Sequence, residues 1–184
     1  MATVLAHNSI RVAGKQHISV GSHALQTYPE DATEEFNAGA PLFFSGTNGR
    51  VAEITDPVAD VEKIVGIAGH DASGVTDTNV VVIPALPAVV FDAILGNVAD
   101  DLYETSIDDV GNTAALRRDD TNDSWYLGAN DDEPDTAAPP PGGCCRIVGL
   151  KDPAGTVNGR VYFVFRDSRQ NAGDTALIPS TIYA

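Results

Sequence analysis

The sequence predicts a mainly β protein: a compact β-barrel or sandwich module, a second β-rich lobe and extended terminal arms. Three observations lead there. From Phe36 to Pro84, short apolar runs alternate with Gly, Asn, Asp and Pro, the grammar of tightly turned strands. Asn48-Gly49 lies between two such runs, and both residues tolerate the positive φ of a tight hairpin turn. Arg160-Val-Tyr-Phe-Val-Phe-Arg166 carries bulky residues on both faces, which suits a strand inside a sheet.

Residues 1–35 read as an N-terminal arm or as the first strands, with a strand around Gln16–Val20. The polar run Thr27–Glu35 reads as a turn or a short helix start. Residues 36–84 form the small barrel-like module. Pro41–Phe44 and Arg50–Ile54 flank the turn, Asp56–Val61 connects to the strand Glu62–Ala68, which ends at Gly69, and Thr78–Ile83 is a β-branched strand ended by Pro84. Residues 85–184 form the second lobe. Ala88–Leu95 fits strand or helix by length; its bounds, Pro87 and Gly96-Asn97, favour a strand. Leu102–Ile107 alternates apolar and polar residues. Thr113–Arg118 and Ser124–Leu127 flank Asp119–Asp123 as a hairpin with an acidic tip. Gly128–Gly143 is a polar connector whose prolines at 139–141 favour an extended segment. Cys145–Leu150 and Arg160–Phe165 make the clearest strand pair, and Asn171–Ala184 is a tail suited to pairing with a neighbouring chain.

A chain of 184 residues with 43% hydrophobic content can bury a real core. No window approaches the roughly 18 consecutive apolar residues of a membrane-spanning helix. The start, MATVLAHNSIRVAGK, lacks the basic region and long apolar stretch of a secretory signal. The net charge is −15, and the only lysines are Lys15, Lys63 and Lys151. Such a surface repels phosphates, so no nucleic acid partner is expected. A well-solvated soluble surface explains the charge; adaptation to high salt is the sharper alternative.

No residue set carries recognisable chemistry, so no catalytic, cofactor or metal site is assigned. His70-Asp71 with Ser73 invites a hydrolase reading, but GIAGHDASG lacks the G-x-S-x-G elbow, and residues this close cannot easily form a triad. Asp119, Asp120 and Asp123, with Asp131 and Asp132 beyond, depart from the spacing of an EF-hand. They read as a solvated tip, with an interfacial cation site as the alternative. His7, His17, His23 and His70 show no paired metal spacing. Adjacent Cys144 and Cys145 cannot build a disulfide framework or a four-ligand zinc site. They read as small, partly buried residues opening a strand; a bond between subunits is the alternative. Trp125-Tyr126 is the one aromatic candidate for a sugar site, and a packed strand pair explains it better.

The central module resembles the capsid decoration, or cement, proteins of tailed phages and haloarchaeal tailed viruses. The resemblance rests on Gly39-Ala40-Pro41-Leu42-Phe43-Phe44, Asn48-Gly49-Arg50-Val51, Ile64-Val65-Gly66-Ile67-Ala68 and Asn79-Val80-Val81-Val82-Ile83. It spans about a quarter of the chain. It implies a virion structural protein on the outer surface of an icosahedral capsid. Its expected partners are the major capsid protein and copies of itself, commonly as a trimer. It would bridge capsomers without catalysis. Two other classes stay open: a tail, spike or carbohydrate-binding β-module of a virion, and a β-scaffold hydrolase with carboxylates brought together by folding.

Overall fold

The computed structural model describes residues 10–12, 25–31, 34–45, 49–54, 64–86, 89–96, 103–119, 122–129 and 144–165. The chain is mainly β, with a closed five-stranded barrel and a second antiparallel sheet. The expected strand Gln16–Val20, the link Asp56–Val61, most of the connector Gly128–Gly143 and the tail Asn171–Ala184 lie outside the described residues.

The first sheet is built from β2 (Gln26–Pro29), β3 (Pro41–Ser45), β4 (Arg50–Glu53), β5 (Ile64–Ala68) and β6 (Asn79–Pro84), in the order β2-β6-β5-β3-β4. The segment Phe36–Pro84 thus supplies four of its strands. The fifth, Gln26–Pro29, corrects the expectation of a turn or helix start at Thr27–Glu35. Its sequence carries no apolar alternation. It is a strand because it pairs with β6 from Gln26↔Val82 to Pro29↔Asn79. One parallel bridge, Glu30↔Val51, brings the two ends of this sheet together.

The second sheet contains β1 (Arg11–Val12), β7 (Phe91–Gly96), β8 (Thr113–Asp119), β9 (Ser124–Gly128), β10 (Cys145–Leu150) and β11 (Arg160–Phe165). Its order is β1-β7-β11-β10-β8-β9, and β7 also pairs with β9 in parallel at Leu95↔Leu127 and Gly96↔Gly128. That contact closes β7, β11, β10, β8 and β9 into a barrel, while β1 adds to β7 at Arg11↔Asp92. Closure removes the exposed edges of the five strands.

The expected strands at Ala88–Leu95, Thr113–Arg118, Ser124–Leu127, Cys145–Leu150 and Arg160–Phe165 fall on β7 to β11 within two or three residues of the stated ends. Within the alternating run Leu102–Ile107, the described residues 103–107 form no strand. Glu104 makes an isolated bridge with Val157, and a single 3-10 turn runs Ile107–Asp109. Ser106 caps that turn by accepting from the Asp108 N–H, and Asp109 returns a bond to the Ser106 N–H. Alternation in the sequence lost here to local side-chain capping.

One apolar cluster draws on both sheets, with Leu42, Val51, Val80 and Val82 from the first and Phe91, Leu116, Phe163 and Phe165 from the second. Phe91 stacks on Phe163 at 5.6 Å between ring centroids and meets Phe165 edge-on at 5.4 Å. Two buried side chains tie the sheets to each other: Glu53 on β4 accepts from Trp125 Nε1 on β9 at 2.6 Å.

Candidate functional site

The loop after β5 holds His70, Asp71 and Ser73, and each is committed to a different structural partner. His70 Nε2 accepts from the Val81 N–H at 3.1 Å. A neutral ring therefore keeps its proton on Nδ1, which lies 2.8 Å from the Asp71 carbonyl oxygen. The Asp71 carboxylate accepts instead from the Ala38 N–H at 2.8 Å. Ser73 Oγ donates to Glu30 at 2.9 Å, and the Ser73 N–H reaches both Glu30 oxygens at 3.0 Å. These bonds make no Ser-His-Asp relay. They fasten the loop.

Glu30 is the residue that sequence reasoning missed. It is fully buried. Its N–H donates to the Thr78 carbonyl at 2.8 Å, its carbonyl accepts from the Asp77 N–H at 3.1 Å, and its carboxylate holds Ser73. It also forms the parallel bridge to Val51. A buried carboxylate survives only with such donors. Nothing in the local run Tyr-Pro-Glu-Asp signals it, because the donors lie about 43 residues downstream. Arg50 adds a two-pronged pair with Asp77 at 2.8 and 3.0 Å.

The acidic hairpin tip is likewise organised by pairing. Asp119 accepts from the Asn122 side-chain amide at 2.6 Å. Asp123 accepts from Arg118 and from Asn37, each at 2.7 Å. Asp120, Asp131 and Asp132 lie outside the described residues, as do His7, His17 and His23. Among the described residues no group of three or more His, Cys, Asp or Glu is placed to hold a metal ion. Trp125 and Tyr126 are both buried in β9, as a packed strand pair would be, and offer no aromatic platform.

Two further clusters join distant parts of the chain. Glu53 is buried, accepts the Trp125 N–H and lies 3.5 Å from the Arg118 guanidinium. Burial pushes its carboxyl above the ordinary value; the Trp125 bond and Arg118 pull back down, while Asp123 and Glu34 add to the rise. Glu34 is raised as well, first by burial and then by Asp31 and Glu30, against a lowering bond from the Glu53 backbone. In the barrel, Asp92 is 1% exposed and receives Arg160 Nε at 2.5 Å and Lys151 Nζ at 2.9 Å. The Cys144 and Cys145 sulfurs lie 3.6 Å apart as free thiols. Cys145 opens β10 with Cys144 just before it, and both are buried, further than the partial burial expected. Burial, followed by the contact with Cys144, pushes the Cys145 thiol well up, which favours the unreactive protonated form.

One hollow of about 340 Å³ opens where β1 meets the first sheet, with Ile10 and Arg11 on one side and Gly39, Ala68, Gly69 and Ile83 on the other. Its walls are the apolar Ile10 and Ile83 with glycine and alanine between them, and Arg11 supplies the charge. No family model, curated protein or solved structure matches this chain. The described part of the chain also has no helix long and apolar enough to cross a membrane.

Proposed function

We propose that this protein is a virion structural component that binds the outer surface of an icosahedral capsid and bridges neighbouring capsomers without catalysis. One observation carries the reading. The segments that resemble capsid decoration proteins lie on β3, β4, β5 and β6, which are contiguous in one sheet. A resemblance scattered over unrelated elements would have no such coherence.

Physical logic supports the same role. Weak contacts repeated over a shell add by multivalency, so no deep pocket is required of each copy. A net charge of −15 keeps decorated particles soluble and apart. In this reading the partners are the major capsid protein and further copies of this chain, assembled as a homotrimer. Mass spectrometry of purified virions tests the proposal. Stoichiometric copies on the particle, released when the shell is dissociated, are the expected result. Absence of the protein from purified particles would overturn it.

A further inference from the structure

The two sheets are wired alike. With strands counted 1 to 5 within each, the first sheet runs 1-5-4-2-3 as β2-β6-β5-β3-β4. The barrel runs 1-5-4-2-3 as β7-β11-β10-β8-β9. In both, four contacts are antiparallel. The fifth joins strand 3 to strand 1 in parallel, at Glu30↔Val51 in one and Leu95↔Leu127 in the other.

The registers agree as well as the order. In the hairpin of strands 2 and 3, Leu42↔Glu53 and Ser45↔Arg50 become Leu116↔Leu127 and Asp119↔Ser124, every residue shifted by 74 positions. The same shift carries Gly49, at φ 68, onto Asp123, at φ 48, so one turn position uses positive φ in both hairpins. For strands 4 and 5, Ala68↔Val82 becomes Cys145↔Phe165, shifts of 77 and 83. For strands 1 and 5, Tyr28↔Val80 becomes Phe91↔Phe163, shifts of 63 and again 83. The parallel seam closes the circle: shifted by 63 and 74, Glu30↔Val51 becomes 93↔125, on the same ladder as Leu95↔Leu127.

Strands 2 and 4 agree too, with Pro41↔Ile67 carried to 115↔144 on the ladder of Ala114↔Cys145, so each strand's shift is fixed by both of its neighbours and all five contacts agree. A slip of one residue anywhere would turn that strand's core face outward. The matched positions share burial too: Leu42 with Leu116, Val51 with Trp125, Val80 with Phe163, Val82 with Phe165. The two hairpins also meet each other. Glu53 of one contacts Trp125 and Arg118 of the other. Contact between the same hairpin of each half is what a two-fold pairing of like units produces, since an isologous interface uses one patch on both sides.

We infer that this chain is a tandem duplication of one five-stranded unit, and that its two halves meet through the interface of a former homodimer. The partner each hairpin surface fits is a second copy of the same unit, now supplied within the chain.

A crystal or cryo-EM structure of the full chain tests it by superposing the halves at the five shifts. The expected result is a best fit at those shifts, worsening when any strand is slipped by one residue, with the halves related by a rotation near a half-turn. A fit that improves on slipping a strand would overturn the duplication. A rotation far from a half-turn would overturn the homodimer origin of the interface.

Discussion

Trp125 gives its indole N–H to the buried carboxylate of Glu53 at 2.6 Å, joining residues 72 positions apart on two different sheets. Trp125→Phe keeps most of the apolar volume and removes the donor. The carboxylate is left with Arg118 alone among its described side-chain partners at 3.5 Å. Leaving a buried acceptor short of its donor costs about 1–3 kcal/mol. Urea unfolding of the variant at neutral pH should show a loss of that size, and an unchanged midpoint would refute the role given to this bond.

The same carboxylate makes a pH prediction whose sign is unusual for a glutamate. Glu53 and Glu34 are both raised above the ordinary value of 4.5. Between that value and the raised one, the folded chain holds more protons than the unfolded chain. The unfolding free energy contributed by these groups therefore falls as pH rises through that window. Their contribution is most favourable below pH 4.5 and is lost above the folded-state value. Glu53→Gln keeps an acceptor for Trp125 and removes the titration. The difference between wild-type and variant stability should change with pH across the window; parallel profiles would contradict it.

In the barrel, Asp92 lies between Arg160 and Lys151, and the two cations differ in exposure. Asp92→Ala takes the carboxylate away from a nearly buried guanidinium that also donates to the Asp92 backbone carbonyl at 3.0 Å, and breaking a buried ion pair costs about 3–5 kcal/mol. Lys151 is 34% exposed, so Lys151→Ala should cost under about 1 kcal/mol. Denaturant midpoints of the two variants test this ranking, and equal losses would count against it.

Gly66 in β5 is there because the neighbouring strand is too close for anything larger. A Cβ on it would lie 2.3 Å from the Ile83 carbonyl oxygen and 2.6 Å from Val82 Cγ1. The first of these is backbone and cannot swing aside. Gly66→Ala should therefore destabilise by at least about 1–3 kcal/mol, as overpacking does. A neutral result in thermal unfolding would mean that β5 and β6 are not packed this way.

Strands whose cues are local were legible in the sequence. Cys145–Leu150 and Arg160–Phe165 match to the residue, since β-branched and aromatic runs bounded by Gly and Asn leave little choice. Gln26–Pro29 was hidden because its strand character comes from β6, about 50 residues away. The alternation at residues 103–107 misled because Thr105 and Ser106 spend their groups on capping and on the 151–159 loop. The His70-Asp71-Ser73 loop drew attention for its residue types, yet its organiser is Glu30, which no motif marks. The repeat of connectivity was equally invisible: matched positions such as Val51 and Trp125 share a place in the fold without sharing a side chain.

The central functional claim is tested most directly by mixing the purified protein with capsids that lack it and measuring co-sedimentation. The account predicts saturable binding, with a fixed number of copies per shell and a shell that withstands higher temperature before releasing its genome. A protein that stays in the supernatant at every concentration would contradict it.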